Sequence, residues 1–136
     1  MKIAIPIKVN RGDPPVAPLF GKAKWFAIVE NGQITIEANP ANGGREVVHW
    51  LASLDVDTLV IQEMGRNPFK TLMQYETIRL FHSGFERTLL SDVLKKLEKN
   101  ELTELNNKES IESIIQHHEK RHMAHEHGHI DHHHTH

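Results

Sequence analysis

The sequence predicts an α/β domain whose sheet carries one antiparallel hairpin and parallel crossovers. Three observations lead there: a strand-like run at the amino terminus, two extended segments around Asn31-Gly32, and an alternation of helical and extended apolar patterns after them. Ile3 to Val9 is rich in β-branched residues and reads as the first strand. Pro6 lacks the N–H that a ladder needs, so an edge or a bulge is expected there. Asn10 to Pro15 is a loop by composition, and Val16 to Lys24 is irregular. Trp25 to Glu30 and Gln33 to Glu37 then flank the Asn-Gly dipeptide, which favours a two-residue type I′ hairpin. Asn39 to Gly44 is another loop.

Arg45 to Leu54 carries Val47, Val48, Leu51 and Leu54 at helical spacing. Thr58-Leu59-Val60-Ile61 suits a strand buried on both faces. Met64 to Pro68 interrupts the pattern; Asn67 is the expected N-cap and Pro68 the first position of a helix running to about Tyr75. Ile78 to Phe81 reads as the last strand, and His82-Ser83-Gly84 as a turn. Leu89, Leu90, Val93, Leu94 and Leu97 form the apolar face of a third helix, whose Lys95, Lys96 and Lys99 suit a helix carboxyl terminus. Asn106 to Glu109 is a linker with the spacing of a capping box between Asn106 and Glu109. Ile111, Ile114 and Ile115 give a thin stripe on a final helix. The expected division is a domain over residues 1–102, then a linker and tail over 103–136.

Bulk composition narrows the function classes. The chain has 136 residues and a net charge of −2 with histidines neutral, and its basic residues are dispersed among carboxylates, so neither nucleic acid nor an anionic membrane is an expected partner. Cysteine is absent, which removes disulfides, thiolate zinc sites and thiolate-held iron–sulfur clusters. The amino terminus lacks the apolar core of a signal peptide and no 18-residue apolar run occurs; a soluble cytoplasmic protein is expected.

Histidine is the anomaly. Ten of the twelve lie between His117 and His136. On a helix, His118, His122, His125, His129, His132, His133 and His136 fall within roughly a 100° arc, and neighbours three or four apart can chelate one ion. Glu119, Glu126 and Asp131 add carboxylates as ligands or as acceptors for an imidazole N–H. Imidazole without thiolate suits Ni²⁺, Zn²⁺, Cu²⁺ or Fe²⁺, and the affinity order leaves the choice open. Gly128 disfavours a long helix, so without metal the tail is expected to fray. Imidazolium cannot ligate, so binding should weaken near and below pH ~6.5. The competing readings are a purification tag, against which the interleaved Glu119, Lys120, Arg121 and Met123 argue, and a solvated low-complexity tract.

Three segments carry a joint resemblance. They are Pro18 to Phe26 following Met1 to Pro6, Asn42 to Leu51 with its Asn-Gly-Gly-Arg start, and Thr58 to Phe69 with Gln62-Glu63-Met64-Gly65-Arg66-Asn67-Pro68. In that order they resemble the dinitrogenase iron–molybdenum cofactor-binding family over about residues 1–102. The resemblance implies a ribonuclease H-like mixed sheet of about five strands without ribonuclease chemistry. It also implies non-catalytic carriage or insertion of an iron–sulfur or iron–molybdenum-type cluster, or its precursor, destined for a client metalloprotein. The loops Pro18 to Lys22, Asn42 to Arg45 and Met64 to Pro68 would form the pocket, with Phe20, Gly21, Lys22, Gly43, Gly44, Arg45, Met64, Gly65 and Arg66 as its residues. Such a place is physically reasonable, since open α/β sheets bind ligands outside the carboxyl ends of their strands and glycine-rich backbone beside cations can hold an anion. The sequence departs from the family at Glu63, where many relatives have histidine after the glutamine. The domain's own histidines are His49, expected to be structural or solvent-facing, and His82, better placed as a ligand between a strand and a turn.

No nucleophile constellation is present: Ser53, Ser83 and Ser91 lack an elbow context, and Asn42-Gly43-Gly44 is neither a dinucleotide nor a P-loop fingerprint. Asp13, Asp55, Asp57 and Glu63 are the acids a metal-dependent nuclease or hydrolase on this fold would use. That remains the alternative, beside a metallochaperone or metal-storage partner protein.

Overall fold

The structure, a computed structural model, describes the backbone of residues 1–134 and the side chains of residues 1–121. Its strands are β1 (Lys2–Ile7), β2 (Trp25–Glu30), β3 (Gln33–Ala38), β4 (Thr58–Ile61), β5 (Arg79–His82) and β6 (Thr103–Glu104). Its helices are α1 (Gly44–Ser53), α2 (Arg66–Leu72), α3 (Leu90–Glu98) and α4 (Lys108–His134), with one 3₁₀ turn at Phe20–Lys22. The strands form one mixed sheet in the order β3-β2-β1-β4-β5-β6. β1, β2 and β3 run antiparallel in sequence, β4 and β5 lie parallel beyond β1, and β6 turns back along β5. This is the ribonuclease H-like arrangement that the resemblance implies, with a two-residue sixth strand added at the edge.

The hairpin forms as its sequence dictates. Asn31 and Gly32 take φ of 52° and 78°, the paired positive values a type I′ turn requires. Helices cover both faces of the sheet. Val47, Val48 and Leu51 of α1, Phe69 and Leu72 of α2, and Ile114 and Ile115 of α4 pack on one side. Leu90 and Val93 of α3 pack with Ile5, Ile7, Val60 and Phe81 on the other. Every residue of β4 is buried, as its unbroken apolar run requires.

Several expectations are corrected. Pro6 lies neither at an edge nor on a bulge: β1 is an inner strand. Its parallel register to β4 is confined to Ile3 and Ala4, so Pro6 sits beyond that ladder and its missing N–H breaks none of it; Ala17 N–H instead donates to the Pro6 carbonyl (2.8 Å). α2 begins at Arg66 rather than Pro68, with Gly65 at the N-cap. Asn67 and Pro68 fall in its first turn, where N–H groups have no intrahelical acceptor and proline costs little. β5 is not the last strand. The cap of α4 is Asn107, one residue later than expected, whose Oδ1 accepts the Ser110 N–H (2.8 Å). The backbone of α4 continues through Gly128 to His134, where fraying was expected.

The chain beyond residue 102 thus contributes to the packed body. Leu105, Ile114 and Ile115 are buried in the same cluster as α1 and α2. Replacing Ile115, 3% exposed, by alanine should cost about 2–5 kcal/mol. Urea unfolding measures this directly, and a cost near zero would show that α4 is not docked on the sheet.

Candidate functional site

The sheet ends in a small cavity where three loops meet. After β4 the chain bends at Gln62, and Glu63 then bridges in parallel to Leu19: Glu63 N–H donates to the Pro18 carbonyl (3.0 Å) and Phe20 N–H to the Glu63 carbonyl (3.2 Å). The 3₁₀ turn that follows presses Gly21 against the start of α1, which in turn abuts α2. A Cβ on Gly21 would lie 3.1 Å from the Gly44 nitrogen, and one on Gly44 would lie 2.1 Å from Cγ of Pro68. Glycine is therefore required by close approach. The cavity between these loops has a volume of about 220 Å³.

Its walls bring together seven of the nine residues expected from the resemblance: Phe20, Gly21, Lys22, Gly43, Gly44, Met64 and Gly65. The other two go elsewhere. Arg45 lines a neighbouring depression with Glu46, His49 and Asn67. Arg66 faces α4, where its guanidinium forks onto Glu112 (2.8 and 3.2 Å) and also meets Glu119 (3.2 Å). Glu112 first and Glu119 second push the Arg66 pKa further up, and Arg66 holds the Glu112 carboxyl below its ordinary range.

Three residues that local spacing does not join also meet here. Glu63 is 1% exposed. Arg121, reaching down from α4, donates through Nη1 to its Oε2, and Nδ1 of His118 lies 3.4 Å from its Oε1. His118 also lines the cavity. The signal was present in two halves: an acid directly after a buried strand needs a cation, and Arg121 interrupts the histidine tract. Treating the tail as a separate unit kept them apart.

The remaining candidates are dispersed. Nε2–H of His82 donates to the Gln62 carbonyl (2.9 Å), and its ring stacks edge-on with Phe85, which in turn packs on His117. His82 does not line the cavity. His49 is exposed and shares a hydrogen bond with the Tyr75 hydroxyl. Asp13 accepts from the backbone and hydroxyl of Ser91 at the start of α3, Asp57 accepts from Lys2 N–H and the Thr58 hydroxyl, and Asp55 occupies a turn with φ of 63°. Among the described residues no three His, Cys, Asp or Glu side chains are gathered for a metal ion. The side chains of His122, His125, His129, His132, His133 and His136 lie outside the described residues. Among the described residues, no helix is long and apolar enough to cross a membrane.

With this geometry in place, comparison with known proteins gives a consistent answer. A family profile described as dinitrogenase iron-molybdenum cofactor matches residues 1–100. The structure is similar to an NMR structure of a candidate NifB protein of the DUF35 family from Thermotoga, at 25% identity and a TM-score of 0.64 over 78% of this chain and 94% of that one. It is also similar in fold to the apo form of the orange protein from Desulfovibrio gigas, at 18% identity and a TM-score of 0.69 over 78% and 93% of the two chains. No curated protein sequence matches.

The wall next to the cavity should be sensitive to pH. Burial lowers the His82 pKa below its ordinary 6.5, the Gln62 carbonyl opposes that fall, and His117 adds to it. The unfolded chain then binds this proton more readily, so the stability conferred by neutral His82 is complete above pH ~6.5 and declines as pH falls through and below that value. In thermal unfolding between about pH 7.5 and pH 5.5, a His82→Gln variant should show a shallower decline than the parent chain. Equal slopes would remove His82 as the cause.

Proposed function

The chain belongs to the dinitrogenase iron-molybdenum cofactor family, and from that premise we propose that its folded body carries an anionic iron–sulfur-type cluster, or a precursor of one, without transforming it. The observation that carries this reading is the cradle of Gly21, Gly43, Gly44 and Gly65 at the carboxyl end of β4. Backbone comes close to any occupant there. The first N–H groups of the ten-residue α1 have no intrahelical acceptor and bear the positive end of its dipole. Lys22 adds a mobile cation at the wall. These donors suit a compact anion. A volume of about 220 Å³ is also below the roughly 300–1,000 Å³ of pockets for drug-sized ligands, which favours an inorganic group over a nucleotide.

In this mechanism the cluster is cargo. The chain's residues bind it through backbone N–H groups, balance its charge through Lys22, and screen one side from water with α4. The tail histidines from His118 to His136 serve as a second, adaptable reservoir for Ni²⁺, Zn²⁺, Cu²⁺ or Fe²⁺. Transfer to a client metalloprotein completes the role. The hydrolase reading receives no support from the four acids it would need: Asp13, Asp55 and Asp57 serve a helix start, a turn and a strand start, and Glu63 meets Arg121.

Anaerobic reconstitution with iron and sulfide, followed by visible absorption and elemental analysis, tests this reading. Gly65 has φ −76° and ψ 172°, extended values that valine adopts without strain. Gly65→Val should therefore fill the cavity and lower uptake by about tenfold, equivalent to about 1.4 kcal/mol. Replacing the tail histidines from His122 onward with glutamine should leave the chromophore in place. Uptake that follows the tail and ignores Gly65→Val would overturn the proposal.

A further inference from the structure

Only half of the buried Glu63 carboxylate is used by protein donors. Oε2 accepts from Arg121, whereas Oε1 is buried without a hydrogen bond among the described residues. A carboxylate oxygen in that position is costly unless something positive meets it. Nδ1 of His118, on α4, stands 3.4 Å from it, and both residues line the cavity.

That separation is informative. A charge-assisted N–H···O bond would bring the two atoms to about 2.7–2.9 Å. A metal held by an imidazole nitrogen and a carboxylate oxygen at about 2.0–2.2 Å, at a tetrahedral angle, sets them about 3.3–3.5 Å apart. The two atoms stand close enough for one ion to meet both. We propose that Glu63 Oε1 and His118 Nδ1 are paired ligands for a divalent transition-metal ion, either alone or as one metal of the cargo. The other positions are open to water, or to sulfide brought by the cargo.

The surroundings fit this role. Arg121 on Oε2 fixes the carboxylate plane, the task of an outer-shell partner. The Arg66 contacts with Glu112 and Glu119 hold α4 in register on either side of His118 in sequence. Nε2 of His118 packs against Gly65, 3.4 Å from where a Cβ would stand, which places the imidazole at the cavity wall. The inference deepens the cargo-site reading and rests on it for a cluster, but not for a lone ion.

The test uses the full-length chain with the eight histidines from His122 to His136 replaced by glutamine, and Co²⁺ alone as the probe. One equivalent should bind with the visible d–d absorption of a low-symmetry site. Paramagnetic shifts in NMR should centre on the amides around Glu63, Gly65 and His118. Glu63→Gln, which keeps an acceptor for Arg121, and His118→Gln should each weaken binding by about tenfold or more. Circular dichroism of each variant in chelator establishes that it is folded. Co²⁺ binding that is absent, or unmoved by both substitutions with shifts centred elsewhere, would overturn the inference even if iron and sulfide were taken up. Localised Co²⁺ binding without iron–sulfide uptake would uphold it and sink the cluster reading instead.

Discussion

A single buried charge organises this molecule. Glu63 follows the fully buried strand β4 and is itself withdrawn from water, so its carboxylate must find positive charge within the protein or bear the cost of burial unpaired. The neighbouring loops bond to its main chain and give its carboxylate no cation. Arg121 does, and Arg121 belongs to a helix whose first turns are already fastened by Ile114 and Ile115. The apolar stripe gives α4 its adhesion, and the Glu63–Arg121 pair together with the Arg66 fork gives it register. An appendage in composition becomes a wall in structure.

The sheet explains why that wall stands over a cavity and not over a packed face. β1 and β4 are parallel neighbours, so the chain leaves both at the same end of the sheet. The loop after β1 doubles back as Pro18 to Phe20 beside Glu63, and α1 and α2 start at the same level with Gly44 against Pro68. Backbone packed on backbone is rigid and leaves few side chains to fill the space between. The resulting hollow has four glycines and Lys22 in its wall, with Phe20, Met64 and the Glu63 carboxylate beside them.

Much of this was readable from residue order. The hairpin was legible because Asn31-Gly32 admits essentially one turn geometry between two strands, and β4 because four apolar residues in a row exclude a solvated face. Seven pocket residues were legible through family likeness. Pro6 misled because an inner strand need not be paired along its whole length, a matter of register that composition does not encode. Asn67 misled because α2 starts before it, at Arg66, with Gly65 in the N-cap position and no side-chain cap bond. Arg66 was expected at the pocket, yet the carboxylates of Glu112 and Glu119 draw it away. Such contacts span 46 and 53 residues of the chain, and local spacing carries no trace of them.

The contact between Gly44 and Pro68 has a consequence for how sequences on this fold can diverge. With a prospective Cβ only 2.1 Å from the proline ring, the two positions are a single mutational unit. A side chain at residue 44 is admissible only if residue 68 shrinks or the two helices slide apart. A side chain gained at residue 44 alone would pry open the seam that defines the cavity, so paired variation at the two positions reports on the shape of the hollow.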